Sequence, residues 1–308
     1  MVKNPSKRTP TKSVLLSVVV VSLYSHRLLR KCLNSILANQ HLDEVEILVA
    51  DCCSDDPVSS LMENYPNVCF LQFPQKAGIP VLAGAGIKQS KGEIIALTDS
   101  SCVVSTDWVS EVRAAHRSSS LVIGGAVDVS GPMKMIDWAA YFCEYGQFMP
   151  PLKAGRVEVL PGINISFKRS ALEKQIQYVE PEFWKTYWCE KLKEEGVELF
   201  SEPAMLVHYA KTFEVIPFFI RRFHHGRCFA GMRSRQLSFS KRMVYVGGSL
   251  TLPLILLYRT IATILTKKQF LTELVLSFPY IVLAIGFWSI GEFCGYLAGK
   301  GKSCELIY

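Results

Sequence analysis

The chain has 308 residues, of which 49% are hydrophobic, and a formal net charge of +7, so it can bury a full core and still leave apolar surface over. The excess charge is local: residues 211–242 hold eight Lys and Arg against the single acid Glu214, directly before an apolar run, which fits anionic lipid headgroups and excludes a nucleic-acid partner. Ten cysteines without paired spacing exclude a disulfide framework and a zinc site, and point to a reducing compartment.

Residues 1–13 read as a disordered basic tail. The run 14–22 resembles the apolar region of a signal peptide, but no small-residue cleavage site follows, and its β-branched content suits a buried first strand. A helix over 27–39 comes next, with Leu28, Leu29, Cys32, Leu33, Ile36 and Leu37 on its apolar face. A strand over 45–50 ends at Asp51, a short helix covers 57–64, and a strand covers 68–72. Gly92 opens a further strand that ends at Asp99. This alternation predicts an α/β fold with a parallel sheet and right-handed crossovers.

Beyond Trp108 the spacing predicts a helix near 107–117 and a strand at 120–129, then an irregular aromatic segment over 132–151. Leu160-Pro161-Gly162-Ile163-Asn164 follows, with a helix from about 181 to 195 and short strands at 197–200 and 205–208. Residues 211–242 form a basic amphipathic segment, and 243–299 a membrane-associated helical hairpin, with 300–308 as a tail. Pro253 interrupts the first apolar stretch, 243–258, whereas 274–291 is the stronger span. Lys267 and Lys268 lie between the stretches. Two full spans from a cytosolic domain would put that pair outside, which leaves a tilted or re-entrant first segment open.

Asp51 and Asp99 each stand at the carboxyl end of an apolar β-branched run, where an open α/β sheet builds its ligand crevice. Two acids at adjacent strand ends suit a nucleotide's base and ribose, or a metal on its phosphates; the bland reading is that each caps a following turn. No G-x-G-x-x-G follows the first strand, so a dinucleotide-dependent reductase is disfavoured.

The pieces SVVVVSLYSHRLLRKCLNSIL, EVEILVADCCSDD, GIKQSKGEIIALTDSSC, LPGINISFKRSAL and EKLKEEGVELFSEPAMLVHY, in this order, resemble the family 2 glycosyltransferases over roughly residues 14–210. The resemblance implies the GT-A nucleotide-diphospho-sugar fold with a membrane-associated tail, as in bacterial membrane-bound members that build cell-envelope polysaccharide. It implies a nucleotide-diphospho-sugar donor, a lipid-linked or saccharide acceptor, anionic membrane lipid as a further partner, and Mg²⁺ or Mn²⁺ as cofactor. The catalytic domain would sit on the cytosolic side of the cell membrane.

Carried over residue by residue, Asp51 would hold the base and Asp99 the ribose or metal, with Ser22, Tyr24 and Ser101 also on the donor side. Gly162, Asn164 and Lys185 would line the acceptor side, and His208 would join Asp99 at the metal. Arg222 and Arg227, on an aromatic and basic segment, would approach the diphosphate or lipid.

Three positions depart from the family pattern. Ser101 replaces the second acid of D-x-D, and a neutral hydroxyl serves a hard cation poorly. Leu82-Ala83-Gly84 stands where relatives often have Ala-Arg-Asn. Trp184-Lys185 falls where an acidic pair supplies the base, and protonated Lys185 cannot accept a proton but could stabilise a departing diphosphate. Glu182, with Glu180 beside it, is the candidate base; each is equally an acid favouring the helix amino terminus. These departures also admit a second class, a non-catalytic nucleotide-sugar-binding or scaffold descendant.

Overall fold

The computed structural model describes residues 2–3, 14–23, 25–52, 59–73, 77–173, 183–235 and 237–307. The chain divides into two compact units: residues 1–130 with 148–210, and residues 131–147 with 211–308.

The first unit is built on a sheet whose core strand, β2 (Leu16–Ser22), is Leu-Ser-Val-Val-Val-Val-Ser and is buried throughout. β-Branched side chains favour extended backbone, and a run without polar alternation belongs where both sheet faces are covered. β3 (Val45–Asp51) and β5 (Ile94–Asp99) flank β2 in parallel, and β4 (Val68–Gln72) lies parallel beyond β3. The chain therefore builds outward from β2 on one side, then returns to place β5 on the other. Such a reversal is the switch point at which a sheet opens a crevice at its carboxyl ends.

The parallel order stops at β5. β9 (Asn164–Lys168) runs antiparallel between β5 and β7 (Val122–Val129), and β10 (Leu199–Tyr209) lies parallel to β7. β6 (Cys102–Val104) and β8 (Gly155–Val157) pair antiparallel with β10, so the sheet is mixed. The two short strands expected over 197–208 are one strand, with a register shift between Glu202 and Leu206. Pro203 stands inside that shift, where its missing N–H breaks no ladder bond. Val2 and Lys3, expected in a disordered tail, form β1 and pair antiparallel with β4.

Helices complete the unit. α1 (His26–Leu37) begins at Ser25, whose hydroxyl accepts from the Arg27 N–H at 3.1 Å, and buries Leu29, Cys32, Leu33 and Ile36. α2 (Ser59–Asn64) precedes β4, α4 (Trp108–Ala115) precedes β7, and α6 (Arg169–Glu173) follows β9. α3 (Ile79–Gln89) and α7 (Lys185–Glu194) share one buried cluster with Val19, Val21, Leu48, Ala50, Ile95 and Leu97. These strand residues alternate along β2, β3 and β5, so they define one face of the sheet.

In the second unit, α5 (Met135–Glu144) occupies a segment expected to be irregular. Its first turn is closed by Asp137, which accepts from the Lys134 N–H at 2.9 Å and the Phe213 N–H at 2.7 Å. α8 (Val215–Ser234) and α10 (Leu271–Ala298) meet backbone to backbone: a Cβ at Gly226 would lie 2.2 Å from the Trp288 carbonyl, and one at Gly291 2.1 Å from the Phe223 carbonyl. α9 (Phe239–Lys267) runs unbroken through Pro253, against the expected interruption. With 29 and 28 residues, α9 and α10 are long and apolar enough to cross a membrane.

Cys228 on α8 is disulfide-bonded to Cys304, with 5.0 Å between their Cα atoms. This corrects the expectation of no disulfide: a separation of 76 residues carries no spacing signal, and only the return of α10 brings the two together.

Glu144, at the end of α5, accepts from Arg221 at 3.2 Å and lies 3.6 Å from Arg222. Burial alone would raise its carboxyl pKa, but Arg221 and Arg222, backed by His225 and Lys211, outweigh it and hold the group below the usual carboxylate range. A depressed carboxylate contributes stability above its unfolded value that is lost as pH falls through the folded one. The second unit should therefore loosen as pH falls below the ordinary carboxylate range, and Glu144→Gln should destabilise it by about 3–5 kcal/mol at neutral pH by removing the counter-charge of two buried guanidiniums. Thermal melts of the two proteins across pH test this; equal stability of both at neutral pH would refute it.

Candidate active site

Asp51 ends β3 in register with Ser22, and Asp99 ends β5 in register with Val21. The acids were expected on adjacent strands, but β2 lies between them, so their backbones stand two sheet spacings, roughly 10 Å, apart. The one-residue offset also matters. Side chains in register share a face and neighbours alternate, so Asp51 leaves the sheet on the Ser22 side and Asp99 on the Val21 side.

On the Ser22 side, Asp51 is fully buried and its Oδ2 lies 3.1 Å from Nε2 of His26, the first residue of α1. Its Oδ1 is buried with no hydrogen-bond partner among the described residues, and neither has the Ser100 hydroxyl. The Ser100 N–H donates to the Val21 carbonyl at 2.8 Å, which continues the β2–β5 ladder and sets Ser100 on the same side as Ser22 and Asp51. A buried carboxylate oxygen without a donor is costly unless a ligand supplies one. Sequence reasoning missed His26 and Ser100; the one signal was their position immediately after β2 and β5.

On the Val21 side, Asp99 Oδ1 accepts from the Ser101 N–H at 2.8 Å and the Ser101 hydroxyl at 2.6 Å. Ser101 thus ties down the first acid where a second acid was expected. The Ala210 N–H donates to the Ser101 carbonyl at 2.8 Å, and His208 pairs with Val103, so the end of β10 runs beside this turn. Asp99 ends β5 and His208 lies next to the last residue of β10, beside this turn. Among the described residues no three His, Cys, Asp or Glu side chains converge to hold a metal ion.

Asn164, expected on the acceptor side, is engaged inside the sheet. Its side chain is fully buried, its Nδ2 donates to the Ala126 carbonyl at 2.8 Å and the Met205 carbonyl at 2.7 Å, and its Oδ1 accepts from Trp108 Nε1 at 3.0 Å. It clamps β9 to β7 and β10. Lys185 opens α7, where its Nζ donates to the Leu160 carbonyl at 2.7 Å and its stem passes Gly162. Glu180, Glu182 and Tyr24 lie outside the described residues. Arg222 and Arg227 belong to the second unit and are engaged there. The Arg222 guanidinium lies beside Glu144 and over Trp288, and Arg227 Nε donates to the Gly299 carbonyl at the end of α10.

A family model described as glycosyl transferase family 2 matches residues 17–176, more than half of the chain, and the chain belongs to that family. It is a glycosyltransferase with the GT-A architecture and two apolar helices after the catalytic domain. A mannosyltransferase from Pyrobaculum calidifontis, solved with GDP-Man and Mn²⁺, superposes with a TM-score of 0.57 at 14% identity, covering 94% of this chain and 88% of its own. TarS from S. aureus, solved with UDP-GlcNAc, gives a TM-score of 0.48 at 15% identity, covering 92% of each chain. No curated protein matches in sequence.

Proposed function

We propose that the protein is a membrane-attached, inverting transferase that moves a sugar from a nucleotide-diphospho-sugar to a hydroxyl of a lipid-linked or saccharide acceptor, at the cytosolic face. The observation that carries the donor reading is the unpartnered, buried Oδ1 of Asp51 at the switch point, which suits a base N–H. Asp99, across β2, would take the ribose hydroxyls. The P. calidifontis enzyme holds GDP-Man, a donor of this class.

Inversion requires one displacement. The acceptor oxygen bonds to the anomeric carbon, its proton passes to a carboxylate, and the bond to the diphosphate breaks with its electron pair on the leaving oxygen. We assign the proton acceptor to Glu182 or Glu180, the acids preceding α7. The membrane reading is supported by α9, on which Val244, Leu250, Leu254 and Tyr258 are each more than 70% exposed, and by the basic stretch before it. One observation opposes the cytosolic assignment: the Cys228–Cys304 disulfide persists best in an oxidising compartment.

Full-length protein incubated with labelled nucleotide sugars and a membrane lipid extract is expected to release nucleoside diphosphate. Glu182→Gln or Glu180→Gln should reduce release by about 10²–10⁴-fold, whichever is the base. Donor binding without release across a broad panel would refute the transferase reading in favour of a nucleotide-sugar-binding scaffold.

A further inference from the structure

Among the described residues no group of three His, Cys, Asp or Glu could hold a divalent cation, while α7, packed on the Asp99 face of the sheet, opens with the cation Lys185. β9 runs antiparallel to β5 with Thr98 opposite Asn164, so the residues entering β9 lie at the carboxyl rim of β5. Lys185 is anchored on this entry: its Nζ bonds the Leu160 carbonyl at 2.7 Å, and a Cβ built on Gly162 would meet its Cε at 3.7 Å.

The face is also the right one. Asp99 leaves β5 on the side of Leu97 and Val21, and both pack in the cluster that holds Phe183, Trp188, Cys189 and Leu192 around α7. α7 therefore packs on the Asp99 face of the sheet. Lys185's hydrogen-bond partner there is a neutral carbonyl, and among the described residues no carboxylate forms an ion pair with it.

We propose that Lys185 takes the place of the divalent cation, its ammonium neutralising the donor's diphosphate as the sugar departs. This rests on the glycosyl-transfer reading above. As the anomeric C–O bond breaks, the electron pair moves onto the diphosphate oxygen, and the ammonium donates a charge-assisted hydrogen bond to it without giving up its proton. Burial lowers the Lys185 pKa from its usual value, opposed by Cys189 and Glu190 on the same helix; a diphosphate is an anion that would restore it. A metal ligand lost at position 101 and a cation gained at position 185 are, on this account, two halves of one exchange.

Calorimetric titration of the full-length protein with UDP, GDP and the corresponding monophosphates, in EDTA and in excess Mn²⁺, tests the proposal. At least one diphosphate should bind in EDTA within about twofold of its affinity in Mn²⁺. Lys185→Met should weaken that diphosphate by about 10–150-fold, the span of one charged hydrogen bond, and leave the monophosphate unchanged. Lys185→Arg, which keeps the charge, should retain most of the affinity and guards against a folding defect in the methionine variant. Diphosphate binding that disappears in EDTA and returns with Mn²⁺, or that survives Lys185→Met, overturns the role of Lys185 and leaves the transferase reading standing. Failure of every nucleotide to bind in either condition overturns both.

Discussion

Asp99→Asn is expected to lower kcat/KM for donor turnover by about 10²–10³-fold while leaving the fold in place. The local hydrogen bonds explain why the two effects separate. Asp99 Oδ1 accepts from the Ser101 N–H and hydroxyl, and an asparagine Oδ1 can accept both, so the turn after β5 keeps its shape. The second oxygen becomes an amide donor and the buried negative charge disappears, which removes the acceptor proposed for the ribose hydroxyls. The stability cost should stay near 1 kcal/mol, a shift of about 2–4 °C in Tm for a unit of this size. Initial rates and thermal melts on the same preparation measure both. A variant that turns over donor at the wild-type rate would remove Asp99 from the mechanism, and one that melts far earlier would make its role structural.

Asn164→Ala should have the opposite profile. It strands the Trp108 indole N–H and the Ala126 and Met205 carbonyls, all inside the sheet. At about 1–3 kcal/mol for each buried group left without a partner, partly relieved by relaxation, the loss should be about 3–5 kcal/mol. That is a large share of a domain stability of about 5–15 kcal/mol. The site admits little relaxation, because Gly125 already brings the backbone against the amide: a Cβ there would lie 2.3 Å from Asn164 Nδ2 and 1.9 Å from the Met205 carbonyl. Urea unfolding followed by circular dichroism reads the effect. An unchanged midpoint together with a raised acceptor KM would return Asn164 to the acceptor side.

Both residues were legible in the sequence, but in different ways. Asp99 stands out because an acid closes an apolar run, and that pattern lies wholly within neighbouring residues. Asn164 was equally visible as a polar residue in an apolar stretch, yet its hydrogen-bond partners were not, because they come from positions 108, 126 and 205. Cys228 and Cys304 failed for the same reason, since nothing near either one announces the other. α5 was missed because its aromatic side chains pack against helices far along the chain: Trp138 lies 4.7 Å from the Phe270 ring. α9 was expected to break at Pro253 on local rules and continues through it.

The amino-acid order alone determined the α/β alternation, the acids at the ends of β3 and β5, the basic stretch before two apolar helices, and the family. These follow from periodicity and local stereochemistry, which covalent neighbours set. Only the tertiary structure decided that β2 separates Asp51 from Asp99, that the two acids leave opposite faces, that Ser101 binds Asp99, and that Lys185 bonds the Leu160 carbonyl. Strand order and helix placement depend on which distant apolar surfaces bury one another, and no window of adjacent residues contains that choice.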